Sequence, residues 1–405
     1  MKISKDKKLC EEYMGKHPVI SISLKGINAA SYEAAFELTV KTIKGAVQKA
    51  GFLKMSDKLD EDEKKEYRAI LDENMSEATL FWSLKNLSEL LEKHYETKVI
   101  LLIDEYDVPL AKAFENGYYD KMVFLIRNLL EQTLKTNNSL KFAVMTGCMR
   151  ISKESIFTGL NNLKVLSITD EHFDEYFGFT DEDVKEMLRY YDREDHYEEM
   201  RNWYDGYRFG STDVYCPWDV LNHCDKIKEN AAAFPENYWV HTSSNEAVKK
   251  IIQMSGNITT KREIERLLAG EEIVKEIRQE LTYQEMYQSV ENIWSLLFMT
   301  GYLTQRQRLD ASHYKLAIPN LEVRVIFKTQ IMEYFKEGVA KDGDTLKQLC
   351  DALKGGDAEK DNQYSRYICE EIIKREFLPW NFARHFRCQR RLGSIFKQGN
   401  RGRVQ

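Results

Sequence analysis

The segment at residues 98–107, which reads KVILLIDEYD, constrains the fold more than any other part of this chain. Its apolar run 99–103 has no polar interruption, which is typical of a strand covered on both faces, as parallel-sheet strands are. Two carboxylates, Asp104 and Glu105, follow this run directly. Because open α/β sheets bind ligands at the carboxyl ends of their strands, the sequence predicts a ligand site here.

A carboxylate pair in this position has two interpretations. In a P-loop nucleotide hydrolase it is the Walker B element, in which Asp104 would hold the Mg²⁺ shell and Glu105 would orient and deprotonate the attacking water. A buried strand that ends in an acidic turn produces the same pattern without any chemistry. The segment alone does not decide between the two interpretations.

Strands and helices alternate over the first 170 residues. The apolar runs at 19–24, 141–147 and 163–168 predict three further strands, and the run at 141–147 is expected to be buried. Residues at helical spacing predict three amphipathic helices, the first with Asn28 as its N-cap. Their apolar stripes are Phe36, Val40, Ile43, Val47 and Ala50, then Leu80, Leu84, Leu87 and Leu91, then Met122, Leu125, Leu129 and Leu130. This alternation predicts a parallel, doubly wound sheet in a helix-rich α/β protein.

Beyond residue 170 the pattern changes to helices with marked starts. Four Ser or Thr residues stand three positions before an acidic residue, which is the spacing of a capping box. These pairs are Thr180 with Asp183, Ser243 with Glu246, Thr260 with Glu263, and Thr282 with Glu285. Between 282 and 337 a helix, two short β-like runs and a second helix follow one another, and this order suggests a small winged-helix-like unit.

The charge of the chain limits the kinds of nucleic-acid binding that it can support. The formal net charge of −6 argues against a protein that coats nucleic acid. After Glu376, however, the chain has no acidic residue, and its basic tail is of a kind that can bind phosphate backbones and is more often simply solvated. The tail contains Arg384, Arg387, Arg390, Arg391, Lys397, Arg401 and Arg403.

Cysteine use and hydropathy predict a cytoplasmic protein without membrane association. The seven cysteines include no CxxC pair and fit a reducing compartment. No run approaches membrane-spanning length, and the N-terminus lacks the apolar core of a signal peptide. Cys216, His223, Cys224 and His241 lie close in sequence but lack zinc-finger spacing, so the sequence predicts no metal site among them.

Four longer segments carry a family resemblance. They read VILLIDEYDVPL at 99–110, MTGCMRISKESIFTGLNNL at 145–163, HFDEYFGFT at 172–180 and NWYDGYRFGSTDVYCPWDVLN at 202–222. Together they resemble the bacterial AAA-ATPase-like family, whose members usually carry a PD-(D/E)xK nuclease-like domain at the C-terminus. The resemblance covers roughly residues 15 to 340.

The resemblance implies cofactors and residue roles. ATP and Mg²⁺ would bind, with Asp104 at the metal and Glu105 as the catalytic member of the Walker B pair. Thr146 would be the sensor of the γ-phosphate, and Arg150 would contact phosphate in its own subunit or a neighbouring one, since the family suggests a ring or dimer by analogy. Simpler roles stay open: Thr146 in a strand-to-loop turn, and Arg150 as the partner of Glu154.

The chain departs from the family pattern near its start. It contains no GxxxxGK[ST] phosphate loop, and the pair Gly15 and Lys16 is followed by His17 and by Pro18, which has no N–H to offer a phosphate. The family places this loop after a strand that lies inside the sheet, next to the sensor strand. We therefore expect ATP hydrolysis to be weak or absent, and the first domain to be weakened or completed by something else.

The end of the chain departs as well. A PD-(D/E)xK nuclease needs two or three carboxylates to hold Mg²⁺, and residues 377–405 contain none. We expect that most of the nuclease part is absent. We also expect that both ends of the open reading frame are compromised, the start falling after the phosphate loop and the tail being read out of frame.

The sequence thus predicts a truncated P-loop NTPase parallel sheet, followed by a helical lid and a winged-helix-like module. The expected domains are an α/β core without Walker A at 1–170, the lid at 171–280, the module at 281–340, and a C-terminal remnant with the basic tail at 341–405. The alternative is a non-enzymatic module that binds protein or DNA through the winged-helix-like unit and the tail. A third interpretation, a decaying gene product without selected activity, predicts poor soluble expression.

Overall fold

The computed structural model describes residues 2–149, 163–239, 246–254 and 258–341. The chain divides into two compact units. Unit 1 contains residues 1–167 and 278–288, and unit 2 contains residues 168–277 and 289–405. Arg150, the helix start expected at Ser243 and the basic tail lie outside the described residues.

A three-stranded parallel sheet organises unit 1. Its strands are β1 (Val19–Ser23), β2 (Val99–Asp104) and β3 (Leu140–Met145), in the spatial order β1-β2-β3. Both pairings are parallel, as expected for strands whose connections contain helices. The strands predicted from the first, second and third apolar runs of the chain are therefore confirmed, and the protein is a helix-rich α/β protein.

Helices fill the connections between these strands. One helix precedes β1, three connect β1 to β2, and two connect β2 to β3. In chain order they are α1 (Lys7–Tyr13), α2 (Tyr32–Gln48), α3 (Glu61–Ile70), α4 (Glu77–Tyr95), α5 (Val108–Glu115) and α6 (Tyr119–Leu134). The three predicted helices correspond to α2, α4 and α6.

The predicted apolar stripes form much of the core of unit 1. The four leucines predicted on α4 and the four apolar residues predicted on α6 are all buried. Helix α2 begins at Tyr32 because the hydroxyl of Ser31 accepts the N–H of Ala34. The N-cap predicted at Asn28 is therefore wrong, and the serine three residues later satisfies the first turn instead.

Strand β3 is more exposed than its sequence predicts. Phe142 is 41% exposed and Val144 is 46% exposed, and on the neighbouring β2 Leu102 is 37% exposed. The expectation of a buried strand at 141–147 is therefore wrong, and so is full coverage of β2 at Leu102. The register pairs Phe142 with Ile100 and Val144 with Leu102, so Leu102, Phe142 and Val144 share one face of the sheet, and the described residues leave this face partly in water.

The strand predicted at 163–168 is also wrong. Residues 163–167 have no regular secondary structure, and Leu163, Val165 and Leu166 are each more than a third exposed. An apolar β-branched run becomes a strand only where a neighbouring strand completes its hydrogen bonds. None of the described strands pairs with this run.

Unit 2 begins with a small helical core. Three helices, α7 (Asp181–Tyr190), α8 (Tyr197–Tyr204) and α9 (Pro217–Glu229), pack against one another, and a hairpin of β4 (Tyr207–Phe209) and β5 (Thr212–Val214) lies between α8 and α9 in the chain. The predicted capping box of Thr180 and Asp183 starts α7. The buried cluster consists of Val184, Leu188, Met200, Tyr204, Tyr215, Val220, Cys224 and Ile227.

The rest of unit 2 combines helices with an antiparallel sheet. Its helices and strands are α10 (Glu246–Met254), α11 (Ile258–Ala269), β6 (Ile273–Glu276), α13 (Val290–Met299), β7 (Thr304–Arg308), β8 (His313–Ala317) and α14 (Leu321–Lys341). The strands lie in the order β6-β8-β7. The expected succession of helix, two strands and helix is present as α13, β7, β8 and α14, and β6 adds a third strand.

Two further predicted helix starts have opposite outcomes. Thr282 and Glu285 form the predicted capping box of the short helix α12 (Tyr283–Met286), which belongs to unit 1. Thr260 does not start a helix, because α11 already begins at Ile258. The spacing of a capping box therefore marks a helix start only where the preceding backbone is not already helical.

No helix within the described ranges is both long enough and apolar enough to cross a lipid bilayer.

Neighbouring leucines on β2 provide a test of the sheet's coverage. We expect Leu101→Ala to lower the free energy of unfolding by about 2–5 kcal/mol, because this side chain is fully buried and its loss leaves a cavity. Leu102→Ala removes a side chain that is 37% exposed and should cost clearly less. Urea unfolding followed by circular dichroism measures both variants. Equal losses would show that the face of the sheet at Leu102 is covered.

Candidate functional site

The residues that follow the three strands meet at one edge of the sheet in unit 1. The N–H of Leu24 donates to the carbonyl of Asp104 at 2.9 Å, and the N–H of Thr146 donates to the carbonyl of Ile103 at 2.9 Å. The parallel pairing thus continues to the carboxyl end of each strand. Polar side chains that are far apart in sequence are brought together at this edge.

Asp104 and Thr146 are in direct contact. The Oγ1 hydroxyl of Thr146 donates to Oδ1 of Asp104 at 2.5 Å. Asp104 ends β2, and Thr146 is the first residue after β3. Two of the residues predicted to act on nucleotide are therefore neighbours, and the hydrogen bond fixes the orientation of the carboxylate.

Glu105 has an unusual backbone and an unsatisfied side chain. Its φ of +53° lies in the left-handed region, which costs a non-glycine residue about 1–2 kcal/mol. Its Oε1 lies 3.8 Å from Nζ of Lys25, the second residue after β1. Its Oε2 is buried and has no hydrogen-bond partner within the described parts of the chain. Such an oxygen is available to a cation or to water.

Asp107 anchors the loop that follows β3. It is only 4% exposed, and its Oδ2 accepts the N–H of Met149 at 3.0 Å. Burial raises the pKa of this carboxyl, and the hydrogen bond from Met149 opposes the rise. Asp107 occupies the N-cap position of α5, but its side chain makes no capping hydrogen bond.

Two further contacts hold the same loop against the end of β2. The hydroxyl of Tyr106 donates to the carbonyl of Met149 at 2.6 Å. At Gly147 a Cβ atom would lie 2.6 Å from Oδ1 of Asp107, so a side chain cannot be accommodated without a shift. The glycine therefore permits the close approach of the loop to the acidic residues.

This arrangement suits a hard divalent cation. Mg²⁺ binds carboxylate and hydroxyl oxygens and keeps several waters. Asp104 offers a carboxylate that a hydroxyl already orients, and Glu105 offers a buried oxygen without a partner within the described parts of the chain. Lys25 adds a positive charge beside Glu105. The edge can therefore hold a hydrated cation and the anion that accompanies it.

The sequence identified most of this edge. Asp104, Glu105 and Thr146 were predicted as site residues, and the structure places all three at adjacent strand ends. Arg150, the fourth, lies outside the described residues. Lys25 was missed, although it is the first basic residue after the apolar run of β1 and that position was a usable signal.

Part of the chain matches the sequence model of a known family. The sequence model of the AAA-ATPase-like family, described as predicted AAA-ATPase, matches residues 2–157. A relative from Azotobacter chroococcum mcd 1, named uncharacterized protein in vnfD 5′ region, is 28% identical over 257 residues. The match covers 59% of this chain and 44% of the relative, so the chain spans less than half of that protein. No solved structure matches the chain.

The backbone at position 105 supports a test of strain. We expect Glu105→Gly to be more stable than Glu105→Ala by about 1 kcal/mol, because glycine adopts a positive φ without penalty and alanine does not. Both variants lose the carboxylate, so the difference in their stability reports the cost of the backbone conformation alone. Chemical unfolding midpoints give the comparison. An alanine variant as stable as the glycine variant would show that residue 105 does not have this conformation.

Proposed function

From the match of residues 2–157 to the sequence model of the predicted AAA-ATPase family, we propose that the edge at Asp104 is the magnesium-binding and catalytic part of an ATP site. The observation that carries the proposal is the meeting of Asp104, Glu105 and Thr146 at the carboxyl edge of a parallel sheet. Nucleotides bind at this edge in open α/β sheets.

Each residue has a role that its surroundings support. Asp104 accepts the hydroxyl of Thr146 and can bind a water of the magnesium shell. Glu105 has an oxygen that no described residue hydrogen-bonds, and it could accept a proton from the attacking water, which is the role of the second acid in a Walker B pair. Bound Mg²⁺ would neutralise charge on the phosphates. Thr146 would sense the γ-phosphate by turning its single hydroxyl hydrogen from Asp104 to a phosphate oxygen, and Arg150 stays a proposed phosphate contact.

We propose nucleotide binding at this edge more than ATP hydrolysis. The chain contains no GxxxxGK[ST] motif, whose backbone N–H groups and lysine would hold the β- and γ-phosphates. Lys25 is the basic side chain that the described strand ends place beside the acids, and it is 78% exposed. A single exposed lysine replaces few of those contacts. We therefore propose weak nucleotide binding and weak or absent hydrolysis by this chain alone.

The larger architecture belongs to the same proposal. We interpret the sheet of unit 1 as a truncated P-loop NTPase sheet, the helices after residue 170 as a lid, and the region from α13 to α14 as a winged-helix-like module. A ring or dimer would let Arg150 reach the site of a neighbouring subunit. These interpretations rest on the family and on the order of helices and strands.

Calorimetric titration with Mg-ATP tests the site. We expect Asp104→Ala to weaken binding at least about tenfold, since hydrogen bonds to a charged group contribute about 1.5–3 kcal/mol. Asp62→Ala is the matched control, because Asp62 is an exposed acid on α3 of the same unit. Wild-type protein without any binding heat, or an Asp104→Ala variant that binds like Asp62→Ala, would rule out the proposed site.

A second candidate is a non-enzymatic module that binds DNA. It is favoured by the basic tail, but the hairpin of β7 and β8 gives it little support. The guanidinium of Arg306 donates to the carbonyls of Gly206 and Pro319, and that of Arg308 donates to the carbonyls of Asp310 and Ala311. These groups are already used within unit 2.

A gel-shift experiment separates the two candidates. Binding through the tail predicts a duplex DNA shift that weakens steeply between 50 and about 200 mM salt and is lost in the variant Arg390→Gln, Arg391→Gln. Under the nucleotide proposal we expect no such shift. Arg189→Gln provides the control, because Arg189 is a solvent-exposed arginine on α7. A shift that only the tail variant abolishes would favour the DNA-binding function.

A further inference from the structure

Two histidines and a glutamate meet within unit 2. His196 directly precedes α8, Glu199 lies in the first turn of α8, and His223 lies in α9. Oε1 of Glu199 is 3.1 Å from Nδ1 of His196 and 3.2 Å from Nε2 of His223. One oxygen and two ring nitrogens, all of them metal-ligand atoms, lie within 4.8 Å of one another.

The environment of His196 fixes which of its nitrogens carries hydrogen. Its Nε2 lies 2.9 Å from the carbonyl oxygen of Ala231, which can only accept, so Nε2 must be the donor. In the neutral ring Nδ1 then carries a lone pair, and this lone pair faces the carboxylate of Glu199 at 3.1 Å. Two acceptors at this distance repel unless a positive charge lies between them. A proton or a metal ion must therefore be shared there.

His223 directs a second nitrogen to the same carboxylate oxygen. Its side chain is fully buried, and the ring of Tyr204 lies 5.5 Å away. The hydroxyl of Tyr238 is 3.5 Å from Nδ1 and can orient that side of the ring. The nearby Lys226 forms an ion pair with Glu236. The pocket thus directs both imidazoles toward one oxygen of Glu199.

The distances fit a zinc ion. Zn²⁺ binds nitrogen at about 2.0–2.1 Å in tetrahedral geometry, which places neighbouring ligand atoms about 3.4 Å apart. The two separations to Oε1 of Glu199, 3.1 and 3.2 Å, are close to this value, and the two ring nitrogens lie within 4.8 Å of each other. The hydrogen bond from Nε2 of His196 to a backbone carbonyl is also the usual outer contact of a metal-bound histidine.

We propose that His196, Glu199 and His223 bind a transition-metal dication of the zinc class. Two imidazoles and one carboxylate form the His₂Glu ligand set that zinc accepts, and imidazole disfavours Mg²⁺ and Ca²⁺. The Glu199 side chain is 33% exposed, so water can occupy the fourth position. The metal would link the start of α8 to α9 across the helical core of unit 2.

Zinc binding by the full-length protein tests the site. After treatment with a chelator, we expect the wild type to bind one more equivalent of Zn²⁺ than Glu199→Gln or His196→Gln, as measured by calorimetry. Each variant should lose at least about tenfold in affinity at this site. Cobalt(II) should give a visible absorption band in the wild type that both variants lack. Zn²⁺ should also raise the unfolding temperature of the wild type alone.

Two controls make the result decisive. His172→Gln removes an exposed histidine of the same unit and should leave zinc binding unchanged. Glu199→Gln retains a side chain that can donate to a ring nitrogen, and circular dichroism without metal verifies its fold. If Glu199→Gln is unfolded without metal, zinc binding by His196→Gln tests the proposal instead. Equal zinc stoichiometry and affinity in the wild type and the folded variant, or no zinc binding at all, would show that a proton is shared at this site instead.

Discussion

Parallel pairing of β1, β2 and β3 is the constraint on which the rest of unit 1 depends. Parallel strands need helical crossovers, and α2 to α6 supply them. The same pairing places every strand's carboxyl end on one edge, so Lys25 meets Glu105 and Thr146 meets Asp104 although they are distant in sequence. The polar edge is therefore a consequence of the strand order, and the loop after β3 closes on it at Gly147.

The sequence predicted correctly those strands and helices whose apolar residues follow the regular spacing of that structure. Helices α4 and α6 have complete apolar stripes, and β2 has a continuous apolar run, so local pattern was sufficient. The run at 163–168 has the same composition as a strand, yet it has no strand partner among the described residues. Whether an apolar run becomes a strand depends on neighbours that a sequence window does not contain.

Helix starts show the same limit on a smaller scale. Asn28 and Ser31 are both good caps, and the structure uses Ser31, whose hydroxyl reaches the N–H of Ala34. Thr260 has the spacing of a cap but follows a backbone that is already helical. The residue type identifies a candidate N-cap, but the conformation of the backbone before it decides whether a helix starts there.

The two sites differ in how far sequence reasoning could reach. Asp104 and Glu105 are adjacent in the chain and follow an apolar run, and the family resemblance of the segment at 145–163 added Thr146. His223 meets His196 at the carboxylate of Glu199, and both of these residues stand more than twenty residues earlier in the chain, whereas the nearer Cys216, Cys224 and His241 have no metal-site spacing with His223. Helix packing selected the distant residues, and no spacing rule encodes that choice.

The open edge of β3 has a consequence for handling the protein in solution. Its backbone donors and acceptors on that side have no strand partner among the described residues, and Phe142 and Val144, on one face of the same strand, have more than two fifths of their surface in water. Such an edge can recruit the corresponding edge of another molecule and start aggregation at high concentration. A lysine in place of Val144 would act as a gatekeeper against this association and favour a monodisperse preparation.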